Sequence, residues 1–125
     1  MDVKRQIEYW IDSAESDLTS ASLLIDNDRI LHGLFFCHLC IEKALKAHVV
    51  RCSLETPQKI HKLSYLLSIT DLEMSEEDKD FCAILMTYLL EGRYPDYNPF
   101  VPSKEQTELY LHKTKTLFQW LKKKL

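Results

Sequence analysis

Residues 30–51 read ILHGLFFCHLCIEKALKAHVVR, the most apolar stretch of the sequence, and its few polar residues are ordered. His38, Glu42 and Lys46 recur at i, i+4 and i+8, which on a helix sets them along one side, drifting slowly around the axis. Leu34, Phe35, Phe36, Leu39, Ile41, Leu45, Val49 and Val50 cover most of the remaining circumference. A helix apolar nearly all round is a central helix with neighbours on several sides, and polar groups on it are either paired inside the bundle or turned toward a site. Fully helical, the stretch would run roughly 33 Å. His, Glu and Lys interrupt it too often for a membrane span, so a soluble bundle with no membrane association is expected.

On the N-terminal side, Val3, Ile7, Trp10, Ala14, Leu18, Ala21 and Ile25 form one apolar stripe at helical period, opposite a solvated face of Lys4, Arg5, Glu8, Asp12, Glu15 and Ser22. Asp26-Asn27-Asp28 breaks the pattern with turn formers, and Asp28 is placed to cap the central helix. So short a connection predicts an antiparallel helical hairpin. On the C-terminal side, Thr56-Pro57 reads as an N-cap followed by Pro at the first helical position. The short helix after it would use Ile60, Leu63, Leu66 and Leu67, end near Ile69, and hold His61 just inside its first turn. Ser75-Glu76-Glu77-Asp78 starts the next helix, with Phe81, Ile84, Leu85, Tyr88 and Leu89 inward and Gly92 as terminator. The stretch from Gly92 to Pro102 holds three of the four prolines and is rich in aromatics. It cannot continue a helix. Ser103-Lys104-Glu105-Gln106 is a second capping box, and Thr107, Tyr110, Thr114, Leu117, Trp120 and Leu121 give the last helix a mixed inner face to about Lys123. With four long helices, one short one and no strand candidate, the expected fold is all-α, an up-and-down four-helix bundle with one additional short helix.

A chain of 125 residues suggests a single domain, residues 1–125, long enough to bury a real core. Only 2 Gly and 4 Pro argue against a turn-rich β architecture, and a net charge of -3 offers no global field for nucleic acid. Lys122, Lys123 and Lys124 read as a solvated helix end favoured by the helix dipole. The opening MDVKRQIEYW has no apolar signal core, so a cytoplasmic location and free thiols are expected. Cys37 and Cys40 form a CxxC inside the apolar helix, without the second ligand pair or strand-to-helix turn that metal or redox sites need. They read as small core residues, and neither metal nor cofactor is expected.

The sequence has no Gly-rich phosphate loop, zinc-protease motif or local serine hydrolase signature. Two places for chemistry remain: the strip His38, Glu42, Lys46, and the loop beginning at Arg93. An Arg at a helix end before a rigid Pro-containing loop can hold phosphate in a fixed fork, or can pin the loop by pairing with Glu42 or Asp96. Glu42 and Lys46 are an i, i+4 pair in the favourable orientation, and Lys43 is expected to reach solvent.

Taken together, these residues resemble the HEPN domain, the helical domain named for higher eukaryotes and prokaryotes nucleotide-binding. The matching features are Trp10, Ala14 and Asp17-Leu18; then Cys40-Ile41-Glu42-Lys43-Ala44-Leu45-Lys46-Ala47; then His61-Lys62-Leu63; and Arg93-Tyr94-Pro95-Asp96. The resemblance covers nearly the whole chain and implies a homodimer in which the Arg-containing loops of two subunits meet in a cleft. It also implies a metal-independent RNase activity in many members, and in small prokaryotic ones a separate nucleotidyltransferase partner acting as antitoxin. The family's nuclease motif is Arg, four to six residues, then His, and in one group a Tyr two residues further on receives the silencing nucleotidyl groups. Here Arg93 matches the Arg, but the His position falls on Asn98 and the Tyr position on Phe100. Metal-free RNA cleavage needs the 2′-hydroxyl activated and the leaving 5′-oxygen protonated, which His does near neutral pH and Asn does not. Asn98 can still hydrogen-bond a phosphate or a 2′-hydroxyl, while Tyr94 and Tyr97 stand at the wrong offset to replace the missing Tyr. The expected role is therefore the RNA- or nucleotide-binding component of a HEPN/nucleotidyltransferase toxin–antitoxin pair, with Arg93 and Asn98 at the site and His38, Glu42, Lys46, Tyr94, Asp96 and Tyr97 supporting it. Two alternatives stay open: a metal-independent RNase toxin using His38 or His61 in place of the loop His, and a non-catalytic interaction module.

Overall fold

The computed structural model describes residues 2–89 and 100–125, which form five helices: α1 (Val3–Asp26), α2 (Ile30–Ser53), α3 (Leu63–Ser68), α4 (Glu76–Met86) and α5 (Lys104–Lys123). There is no strand among the described residues. The all-α bundle with one short extra helix is as expected. The central helix α2 packs against all four others. It buries Leu34, Cys37, Cys40, Ile41, Ala44, Leu45, Ala47, Val49 and Val50. No helix among the described residues is long and apolar enough to cross a membrane.

The hairpin of α1 and α2 is the main packing unit. Gly33 lets the two helices approach: a Cβ there would lie 2.5 Å from Ile25 Cγ1 and 3.2 Å from the Ala21 carbonyl oxygen. Contrary to the expectation from sequence, Asp28 does not cap α2. It adopts φ 60°, and the Arg29 and Asp28 amides donate to the Leu24 and Ile25 carbonyls at 2.8 and 3.1 Å. That is a Schellman closure of α1, with Asp28 as its left-handed residue. The N-cap of α2 is Arg29, without a side-chain capping bond.

Further along, the expected helix start at Thr56-Pro57 is absent, and residues 54–62 run without helix. The Thr56 hydroxyl that would cap instead accepts from Gln6 Nε2 at 3.3 Å, tying this segment to α1. His61 consequently precedes α3 and does not lie inside it. Ser75 and Ser103 cap α4 and α5 as expected, accepting from the Asp78 and Gln106 amides, each at 3.1 Å. α4 ends at Met86, before the expected Gly92, which lies outside the described residues. Its end is tightened by i→i−3 bonds from the Thr87, Tyr88 and Leu89 amides. The inner face of α5 is turned slightly from the expected stripe: Leu111 and Phe118 are buried, and Tyr110 and Trp120 lie at its margins. Thr107 and Thr114 are fully buried because their hydroxyls donate to the Ser103 and Tyr110 carbonyls.

The C-terminal ends of α2 and α5 are joined through His48. Its Nε2 donates to the Leu121 carbonyl at 2.8 Å, and its Nδ1 accepts from Arg51, which also pairs with Asp71 before α4. Burial holds His48 below the ordinary imidazole value, against the opposing pull of the Leu121 carbonyl. The neutral ring is the form that can donate at one nitrogen and accept at the other.

Candidate functional site

The strip read on the central helix is a real cluster, organised by Glu42. This residue of α2 is 3% exposed. One of its oxygens, Oε1, receives His38 Nε2 at 3.1 Å and His61 Nδ1 at 2.9 Å, and the other, Oε2, receives Lys46 Nζ at 3.3 Å. His38 and Lys46 come from the adjacent turns of the same helix. His61 comes from the segment before α3 and meets Glu42 from 19 residues away in the sequence. The Lys46 ammonium also lies 5.4 Å from the centre of the Trp10 ring on α1, a cation–π contact that brings a third part of the chain to the cluster.

Burial by itself would raise the Glu42 carboxyl, but the hydrogen bond from His38, the charge of Lys46 and the hydrogen bond from His61 outweigh it and hold the group below its ordinary value. Glu42 is therefore a fixed carboxylate around which donors are arranged. His38 is fully buried and its Nδ1 has no hydrogen-bond partner. With Nε2–H donating to Glu42, Nδ1 is left as an acceptor, which costs less to bury unpaired than a second N–H would. His61 differs from His38 in its exposure, since its side chain remains 47% exposed. A carboxylate on Nδ1–H fixes the tautomer and leaves Nε2 as the ring nitrogen turned away from Glu42. Among the described residues none meets that nitrogen.

His38, Glu42 and Lys46 are thus brought together as the spacing implied, and His61, expected in the first turn of the short helix and, in one alternative, as a replacement for the loop His, joins them through Glu42. Lys43 does not simply reach solvent: it pairs with Asp17 at 2.7 Å and donates to Ser13 Oγ at 2.8 Å, holding α1 against α2. Arg93, Tyr94, Asp96, Tyr97 and Asn98 all lie outside the described residues. No group of three or more His, Cys, Asp or Glu among the described residues is arranged to hold a metal ion. Cys37 and Cys40 are buried core thiols; burial pushes Cys37 up to about 11 and raises Cys40 well above the ordinary thiol value.

Compared with known proteins, the sequence matches the HEPN domain family over residues 7–125. The fold is similar to the crystal structure of TT1696 from Thermus thermophilus, with TM-score 0.80 and 22% identity, covering 96% of this chain and 98% of that one. It is also similar to ST0689, an archaeal HEPN homologue, with TM-score 0.64 and 17% identity over 94% of this chain and 96% of that one. At these identities the likeness establishes a shared fold. No curated protein sequence matches this one.

Proposed function

Because this chain belongs to the HEPN family, we propose that it is the RNA- or nucleotide-binding component of a HEPN/nucleotidyltransferase pair of the toxin–antitoxin type. In this reading it works as a homodimer, with Arg93 and Asn98 facing phosphate in the cleft between copies. Tyr94, Asp96 and Tyr97 are assigned to the support of that site. The observation that carries the reading is the Glu42 cluster, in which a buried carboxylate holds an exposed imidazole in one tautomer beside an ammonium. A buried carboxylate with its donors in place is a rigid anchor, and His61 is the group it presents outward.

The same cluster favours a second reading, a metal-independent RNase in which His61 supplies the proton transfer that Asn98 cannot. The 2′-oxygen would attack phosphorus, the bond to the 5′-oxygen would break, and a 2′,3′-cyclic phosphate would form. His61 Nε2 would take the 2′-proton or deliver one to the departing 5′-oxygen.

One experiment separates the readings. Highly purified protein, Arg93→Ala and His61→Ala are incubated in chelator with mixed tRNA and mRNA, and binding to labelled single-stranded RNA is measured alongside. RNA binding weakened by Arg93→Ala without cleavage supports the binding component. Cleavage lost in both variants supports the RNase. A protein that neither binds nor cleaves, yet co-purifies with a nucleotidyltransferase, would leave an interaction module.

A further inference from the structure

Beside the Glu42 cluster, on the first turns of α1, lies a surface pocket of about 540 Å³ lined by Asp2, Arg5, Gln6, Tyr9, Trp10 and Thr56. Helical spacing builds it. Asp2, Gln6 and Trp10 form one row at i, i+4 and i+8, and Arg5 and Tyr9 form the row beside it. The Gln6–Thr56 hydrogen bond closes the far wall by drawing in the segment after α2. The volume falls within the range of about 300–1,000 Å³ usual for small-molecule sites.

Three features of the pocket bear on what it can hold. Tyr9 is 64% exposed and stands edge-on to Trp10, with ring centres 5.3 Å apart at 74°. One face of a large aromatic is thus offered to solvent on a rigid helix. Trp10 Nε1 is buried without a hydrogen-bond partner, a donor left unmet in the wall. Arg5 enters no ion pair among the described residues, although every other wall position is neutral or acidic. The α1 terminus is not itself the attraction, because Asp2 already accepts from the Arg5 amide there at 3.1 Å.

We propose that this pocket is a nucleotide subsite, with the base stacked on Tyr9 and the phosphate paired with the Arg5 guanidinium. An exposed aromatic face accepts any base, and a planar guanidinium matches a phosphate in a bidentate fork. Asp2 keeps the phosphate on the Arg5 side and can accept from ribose hydroxyls. A chain of contacts connects the pocket to His61: Trp10 lies on Lys46, Lys46 on Glu42, and Glu42 on His61. The inference rests on the nucleotide reading above and adds where the base is held.

The test uses Trp120→Phe protein, in which Trp10 is the sole indole. Its fluorescence is titrated with AMP, with UMP and with a single-stranded RNA hexamer, in this parent and with Tyr9→Ala, Tyr9→Phe, Arg5→Ala or Arg93→Ala added. Quenching of Trp10 is expected, weakened about ten-fold or more by Tyr9→Ala and by Arg5→Ala and preserved by Tyr9→Phe. Response to the mononucleotides identifies a free nucleotide as the ligand, and response to the hexamer alone identifies RNA. Binding lost on Arg93→Ala but indifferent to Tyr9→Ala and Arg5→Ala overturns the subsite while sparing the nucleotide reading. No binding of any probe overturns both. A Tyr9→Ala protein that loses self-association on a sizing column, with nucleotide affinity unchanged, would assign this face to contact between copies and overturn the subsite.

Discussion

Glu42 shows at the scale of one residue how local spacing and tertiary return combine. Its pairing with His38 and Lys46 follows from the four-residue period of α2 and was legible in the sequence. The third donor, His61, was not, because it depends on where residues 54–62 turn back across the bundle. No local signal fixes that path: Thr56-Pro57 looks like a helix start, and the Gln6 contact that redirects it comes from the opposite end of the chain. We predict that Glu42→Gln destabilises the protein by about 3 kcal/mol near neutral pH, because the Lys46 ammonium is left buried without its counter-charge. Chemical denaturation checks this; an unchanged midpoint would mean that Lys46 reaches solvent at little cost. The pH dependence has a definite sign. The Glu42 carboxyl is held below its ordinary value of 4.5 in the folded protein. Its contribution is therefore present above the unfolded value and lost as pH falls through the folded one. The stability gap between parent and Glu42→Gln should accordingly narrow in acid, where protonated Glu42 resembles the amide.

At the scale of elements, the hairpin of α1 and α2 depends on how closely two helices approach. The apolar stripe of α1 and the nearly all-round apolar surface of α2 said that they pack, but not at what distance. The distance is set at Gly33, where the Ile25 side chain and the Ala21 carbonyl occupy the space of a Cβ. Gly33→Ala gains about 1 kcal/mol in helix propensity. Overpacking, at about 1–3 kcal/mol, should outweigh it. A net loss of about 1 kcal/mol is expected, seen as a melting temperature lower by roughly 3–5 °C. Adding Ile25→Ala should make the pair less than additive, because the smaller side chain vacates the clash. A stabilised Gly33→Ala would show that the helices slide apart freely. The capping serines of α4 and α5 were legible because a cap is a contact within four residues. The misread Asp28 was local too, but its left-handed conformation closes α1, and the same residue type suits either use.

Across the whole molecule, burial sorts residues that the sequence lists as equals. The chain has four cysteines: Cys37, Cys40 and Cys82 are buried, and Cys52 is exposed. Burial also pushes the Cys82 thiol up to about 12. Native protein should therefore give one fast-reacting thiol per chain with a water-soluble aromatic disulfide reagent, and four after denaturation; Cys52→Ser should remove the fast phase. A native protein in which Cys37 or Cys40 reacts as quickly would show that the core around α2 opens readily. By itself the sequence determined the helical class, the central place of α2, two of the helix caps and the pairing of His38 and Lys46 with Glu42. Each of these is set by periodicity or by neighbours within one or two turns, where the geometry of the helix leaves little choice. Only the tertiary structure decided that His61 joins Glu42, that Lys43 is tied to Asp17, that His48 bonds the end of α5, and that Trp10 lines a pocket and meets a charged cluster through Lys46. Those contacts join residues far apart in the chain. They follow from how helices and connecting segments settle against one another to bury apolar surface, and the local pattern carries no record of that.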